Sequence, residues 1–119
     1  MIIQLWYQRS DAESVVLYSP PIDVSSVRDV TTFLNVLNVG TANVVIQAQQ
    51  SLDPSDPNSW SNVGSTATGS AAGNTTGLAG GYSAGTTQPM GPYIRFRATV
   101  TVTSGGIVWS AAAVLRTAG

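Results

Sequence analysis

The clearest alternation of apolar and polar positions lies near the end of the chain. From Pro92 to Thr117 the sequence reads PYIRFRATVTVTSGGIVWSAAAVLRT, with Ile94, Phe96, Ala98, Val100 and Val102 at every second position, then Ile107, Trp109, Ala111, Ala113 and Leu115. A period of two places each set on one face of a strand. Between the runs stands Thr103-Ser104-Gly105-Gly106, a glycine-bearing segment of the kind that closes a β-hairpin. Closure there predicts Val102 opposite Ile107, Val100 opposite Trp109, Ala98 opposite Ala111, Phe96 opposite Ala113 and Ile94 opposite Leu115. Large side chains then meet small ones on the inner face. Tyr93, Arg95, Arg97, Val108, Ala112, Val114 and Arg116 fall on the outer face, and a slip of one residue would bury the arginines, so burial pins the phase.

The earlier segments read less cleanly. Residues 2 to 8 alternate, with Ile3, Leu5 and Tyr7 to one side and Ile2, Gln4, Trp6 and Gln8 to the other, which fits a core strand or an N-terminal arm laid on a neighbour. Val15 to Tyr18 form a short strand that stops at Ser19-Pro20-Pro21, because proline has no N–H to give a ladder. From Val27 to Val39 a helical spacing competes with the β-branched run Val30-Thr31-Thr32, and the segment reads as strand. Asn38-Val39-Gly40-Thr41 then reads as a turn into Asn43 to Gln50, where Val44, Ile46 and Ala48 face in and Val45, Gln47 and Gln49 face out. Two Asp-Pro pairs make Ser51 to Trp60 a rigid loop, and strand resumes from Trp60 to Val63.

Residues 64 to 87, GSTATGSAAGNTTGLAGGYSAGTT, are a low-complexity tract without charge whose only large side chains are Leu78 and Tyr82. Either it is a flexible loop, or it forms two weak strands, near Ala67 to Ala72 and Leu78 to Ser83, completed by another subunit. Disordered tracts usually carry charge and proline; this one has neither, which favours partial order. The sum is roughly seven to nine short strands with Gly, Pro and Asn turns and no convincing helix. The expectation is a single all-β domain over 1–119, an antiparallel β-sandwich of jelly-roll or immunoglobulin-like type.

Composition narrows the chemistry. The 119 residues contain no cysteine and no histidine. Zinc, copper and iron sites of the usual kinds, cysteine proteases and Ser-His-Asp hydrolases are thereby excluded, since each needs imidazole or thiolate. Charged residues make up 9% of the chain, against roughly 25% in an ordinary soluble domain. All five cations are arginine, and lysine, the usual guard of exposed sheet edges, is absent. Either neighbours cover much of the surface, or the composition reflects a bias of the source. A net charge of −1 lacks the basic footprint that nucleic acid requires and gives no hold on an anionic membrane. The opening MIIQLWYQR has no basic n-region, only a short apolar run and no cleavage site, so it does not read as a signal peptide. The chain is expected to be made and folded in cytoplasm and to reach any other place by assembly or lysis.

Three constellations are candidates for a site. Asp53, Asp56 and Asn58 offer oxygen ligands close in sequence, as Ca²⁺ accepts, but their spacing matches no EF-hand, and Asx-turns explain them as well. Trp60, just past that loop, suits either a platform for a sugar ring or a cap on the core. Arg95 and Arg97, two apart on one strand face, form with Arg116 a small cationic stripe able to grip a carboxylate or phosphate, to pair with Asp23 or Asp29 at a subunit contact, or to remain solvated. Six acids, mostly in turns, supply no pair of carboxylates across a cleft, so no enzyme and no cofactor are expected.

The run ANVVIQAQQSLDPSDPNSWSNVGS, followed after the Gly-rich tract by GPYIRFRATVTVTSGG and an apolar closing strand, resembles small β-sandwich virion accessory proteins of tailed phages, of the head decoration or cement type. It is also similar to discoidin and carbohydrate-binding jelly rolls, in which a Trp follows an Asp/Asn loop. The likeness spans about residues 40 to 116 and is one of fold, not of active site. The first resemblance implies a structural protein of the virion that binds a major capsid protein lattice as a homo-oligomer; it carries over no site residue, and the interface candidates, Tyr93, Arg95, Arg97, Val108, Val114 and Arg116 on the outer face with Leu78, Tyr82 and Trp6 (core or interface), come from the residues themselves. The second implies a glycan-binding module using Trp60 and the Asp53/Asp56/Asn58 loop. The apparent lack of export favours the virion reading.

Overall fold

The computed structural model describes residues 1–10, 14–83, 86–88 and 91–117, with backbone alone at 38, 75, 77–83 and 86–88. Its strands are β1 (Ile2–Ser10), β2 (Val15–Tyr18), β3 (Ile22–Asp23), β4 (Val27–Ser51), β5 (Ser61–Gly69), β6 (Gly73–Ser83), β7 (Thr86–Gln88) and β8 (Tyr93–Thr117). All pairings among them are antiparallel. The chain is all-β, as its alternation predicts. The strands form one eight-stranded sheet, nearly closed into a barrel, where the sequence suggested a sandwich of short strands.

Two of the strands are long. β4 and β8 have 25 residues each and pair along their whole length, from Val27 opposite Thr117 to Ser51 opposite Tyr93. This overturns the terminal hairpin. The chain does not reverse at Thr103-Ser104-Gly105-Gly106, and the expected turn at Asn38-Val39-Gly40-Thr41 does not reverse it either. Both segments are bends in continuous strands and face each other, with Thr41 opposite Ser104. Gly105 and Gly106 have φ of 77° and 69°, a left-handed conformation that favours glycine. Gly40 sits so close that a Cβ there would lie 2.6 Å from the Ser104 carbonyl oxygen and 2.7 Å from Gly105 Cα. Register shifts between Val36 and Asn38, between Val39 and Thr41 and between Thr41 and Ala42 mark bulges, which bend and twist a strand locally.

The bend divides the sheet into two halves. One contains β1, the C-terminal half of β8, the N-terminal half of β4, and β6. The other contains β2 and β3, the N-terminal half of β8, the C-terminal half of β4, and β5. The Gly/Ala/Thr tract supplies most of β5 and β6, and β4 of the same chain completes both. Its small residues permit close packing: a Cβ on Gly69 would lie 2.6 Å from Val36 Cγ2 and 3.1 Å from Leu34 Cδ2. Between β2 and β3 the prolines leave the ladder and Ser19 holds the edge. Its N–H donates to the Phe96 carbonyl at 2.9 Å, and its hydroxyl accepts from the Phe96 N–H at 2.8 Å.

The inward phase of β8 is the expected one. Ile94, Phe96, Ala98, Val100, Ile107, Trp109, Ala111, Ala113 and Leu115 are all buried, and only their partners differ. Ala98 lies between Leu17 and Ile46, Ala111 between Trp6 and Leu34, and Ala113 between Ile3 and Thr32. Small side chains on the central strand thus make room for larger ones on both flanks. Each large side chain so buried stabilises the fold by about 1.5–3 kcal/mol relative to exposure.

Trp6 reaches this core through a bulge. The register of β1 shifts between Gln4 and Trp6, so Trp6 turns inward to 9% exposure. Its ring lies 5.7 Å from that of Trp109, tilted by 56°. The Gln4 side-chain amide donates to the carbonyls of Trp6 (2.8 Å) and Ala111 (3.2 Å), which secures the bulge. Trp6, open to a core or an interface reading from the sequence, belongs to the chain's own core, and β1 is a strand of the sheet.

Candidate binding faces

The half-sheet of β2, β3, β5 and the adjoining parts of β4 and β8 turns an arginine–aromatic face outward. Period two brings Arg95 and Arg97 to the same side of β8. Antiparallel register sets Arg97 beside Tyr18 and Gln47, and Arg95 beside Gln49. The Arg95 guanidinium stacks on two rings, 4.5 Å from the centroid of Tyr18 and 4.4 Å from that of Trp60. A cation over an aromatic face is attracted by the ring quadrupole. Arg95 Nε also donates to Gln49 Oε1 at 2.9 Å, and Gln49 Nε2 donates to Asn62 Oδ1 at 3.2 Å. Gln49 is itself buried, so the arginine rests on a fixed acceptor.

Arg97 is held differently. Its Nε is enclosed without a hydrogen-bond partner among the described residues. Neither Arg95 nor Arg97 forms an ion pair among the described residues. Arg116 stands apart from both, across the bend, where its Nε lies 3.7 Å from Asp29 Oδ1 in the neighbouring strand. The three arginines therefore do not make one stripe, and the Asp29 pairing is internal to the chain. Because Arg116 is largely exposed, that pair contributes about 0–1 kcal/mol.

The other half-sheet turns outward a face of different character. Ile2, Val114 and Thr31 share one row, Gln4, Ala112, Phe33 and Thr76 the next, and Tyr7, Ser110, Asn35 and Asn74 a third. None of these residues is charged. Ile2 is 73% exposed, Tyr7 71% and Phe33 41%, while Val108 and Val114 are half-buried. Among the described residues β1, which bounds this face, pairs on one side only, with β8. The side chains of Leu78 and Tyr82, also expected at an interface, lie outside the described residues.

The acidic loop is occupied with its own backbone. Asp53 Oδ1 accepts from the N–H (3.1 Å) and the hydroxyl (2.6 Å) of Ser55, and Asp56 Oδ1 accepts from the Asn58 N–H at 2.9 Å. The Ser59 hydroxyl donates to the carbonyls of Asp53 and Asp56, both at 2.7 Å, and meets the Ser51 hydroxyl. These are Asx-turns. The Ser55 hydroxyl and amide hold the Asp53 carboxyl below its ordinary value, and the Ser25 amide and hydroxyl do the same for Asp23. Trp60 follows the loop half-buried, with Arg95 across one face of its ring.

A shallow cleft of about 340 Å³ at the bend, lined by Gly40, Thr41, Ala42, Asn43, Ser70, Thr101 and Thr103, holds no titratable side chain. No group of three or more acidic residues suited to a metal ion occurs among the described residues. The outward phase of Arg95, Arg97, Gln47 and Gln49 was legible from alternation. The partnership of Arg95 with Tyr18 and Trp60 was not, because it joins β2 and a loop to β8 through register that no local pattern encodes. No protein-family model matches the chain, and no curated protein matches it.

Proposed function

We propose that this chain is a non-enzymatic structural protein of a viral particle, a capsid decoration or cement protein that joins the shell as an oligomer. The observation that carries the reading is the group of exposed Ile2, Tyr7 and Phe33 around Ala112 and Val114 on the outer face, where charge stands only at the two ends, at Arg9 and at the Arg116–Asp29 pair, among the described residues. Large apolar side chains left exposed together on one sheet face, here among Gln4, Ser110 and Asn35, suit an interaction surface. Among the described residues the outer edge of β1 has no strand partner, and its one charge is Arg9 near the end, with no lysine, which fits a strand that neighbours cover. Copies of the same chain and a capsid lattice are the partners this reading requires. The glycan-binding reading draws less support, since Arg95 lies on the Trp60 ring and the carboxylates of Asp53 and Asp56 accept from their own loop.

Sedimentation velocity across a concentration series tests this directly. The wild-type chain is expected to sediment as an oligomer, and the double variant Phe33→Asp/Val114→Asp as a folded monomer. An unpaired charge buried in an interface costs about 3–5 kcal/mol, so association should weaken at least about a hundredfold. A wild-type chain that stays monomeric at every concentration, or a charged variant that associates as well as wild type, would sink the reading.

A further inference from the structure

We propose that the Arg95–Arg97 face is a carboxylate-binding site that takes an extended acidic segment of a partner protein. The site is built before any ligand arrives. Arg95 lies over the rings of both Tyr18 and Trp60 and is tethered to Gln49, and Arg97, whose strand neighbours are Tyr18 and Gln47, has its Nε enclosed. Fixing a guanidinium in advance removes much of the entropy that an exposed arginine loses on binding. The terminal nitrogens of both side chains make no hydrogen bond to a described residue and are not enclosed. Each therefore presents a planar pair of donors that a carboxylate matches with two parallel hydrogen bonds.

The spacing selects the ligand further. Residues two apart on a strand lie about 7 Å from each other on one face, the repeat of alternate side chains in any extended peptide. An acidic segment with carboxylates at every second position can thus run along β8 and meet Arg95 and Arg97 in register. Other ligand classes fit less well. A sugar ring would need an aromatic face, and Arg95 lies on both Tyr18 and Trp60. Nucleic acid needs more positive charge than two arginines on a chain of net charge −1 provide. The site lies on the opposite half-sheet from the apolar face and does not rest on the assembly reading.

The arginine Nε–Hε signals in a ¹H–¹⁵N correlation spectrum report on the site directly. Three probes are titrated at constant ionic strength: acetyl-Ser-Glu-Ser-Glu-Ser-amide, the isomer acetyl-Ser-Glu-Glu-Ser-Ser-amide, and inorganic phosphate. The Arg95 and Arg97 signals are expected to shift along one saturable curve, tighter for the alternating peptide than for its isomer or phosphate, while Arg28 and Arg116 stay still. Arg97→Lys, which keeps the charge and the apolar stem but loses the planar fork, should weaken that binding about tenfold, with circular dichroism unchanged. Arg97→Gln should abolish the shift of Arg95. The proposal fails if all arginine signals drift together without saturating, if the two peptides bind equally, or if phosphate binds more tightly than either.

Discussion

Gly40→Ala is expected to destabilise the protein by about 3 kcal/mol, although Gly40 is exposed and its removal deletes no contact. A methyl group there would sit 2.6 Å from the Ser104 carbonyl oxygen and 2.7 Å from Gly105 Cα. Both neighbours are backbone, so the clash cannot be relieved by a rotamer. It requires β4 and β8 to move apart at the point where both bend. Gly73→Ala is the control: its φ of 136° also disfavours a side chain, but no atom stands within 4 Å of the added carbon. That change carries local backbone strain alone, about 1–2 kcal/mol and less than Gly40→Ala, and should leave the β4–β8 contact intact. Urea denaturation of the two variants measures the difference. Gly40→Ala melting within about 0.5 kcal/mol of wild type would mean that the bends do not face each other.

The second large effect is expected at Trp109, which is fully buried, packs against Trp6, and leaves its indole Nε1 without a partner among the described residues. Trp109→Ala should cost about 3–5 kcal/mol in lost burial and residual cavity. Set against the roughly 5–15 kcal/mol typical of a whole domain, that is about a fifth or more of the stability. Trp109→Phe should be much milder. It gives up part of the ring but also removes a buried donor that costs about 1–3 kcal/mol when unsatisfied, so the two changes largely offset. Denaturant midpoints check the order, and near-ultraviolet circular dichroism reports the Trp6–Trp109 pair. Equal damage from Phe and Ala would show that the indole nitrogen has an acceptor after all.

What the sequence revealed and what it concealed divide along one physical line. Phase is local: a period of two told which residues of β8 face the core, and Ile94 through Leu115 lie as that period requires. Partnership is not local. Gly105 and Gly106 with positive φ serve a hairpin turn and a strand bend equally well. The choice between them is made by Gly40 and Thr41 on the other long strand. The same limit explains Trp6, whose facing was inverted by a one-residue bulge that no alternation announces. In the Gly/Ala/Thr tract, the lack of charge and proline pointed to partial order, but the strand that completes it had to be found in space. The outward arginines were legible as a pair. Their clamp of Tyr18, Trp60 and Gln49 was not; a pairing with Asp29 was one of the options read from the sequence, at a subunit contact, and it forms instead within the chain through Arg116.

Both outward faces depend on β8 running straight through the bend and pairing with β4 on either side of it. Backbone contacts in a nuclear Overhauser spectrum test that pairing most directly, because facing strands bring main-chain protons together while residues across the core stay about 10 Å apart. The structure predicts main-chain cross-peaks between Ala98 and Ile46 and between Ala111 and Leu34. Main-chain cross-peaks between Ala98 and Ala111, as a terminal hairpin would give, would contradict it.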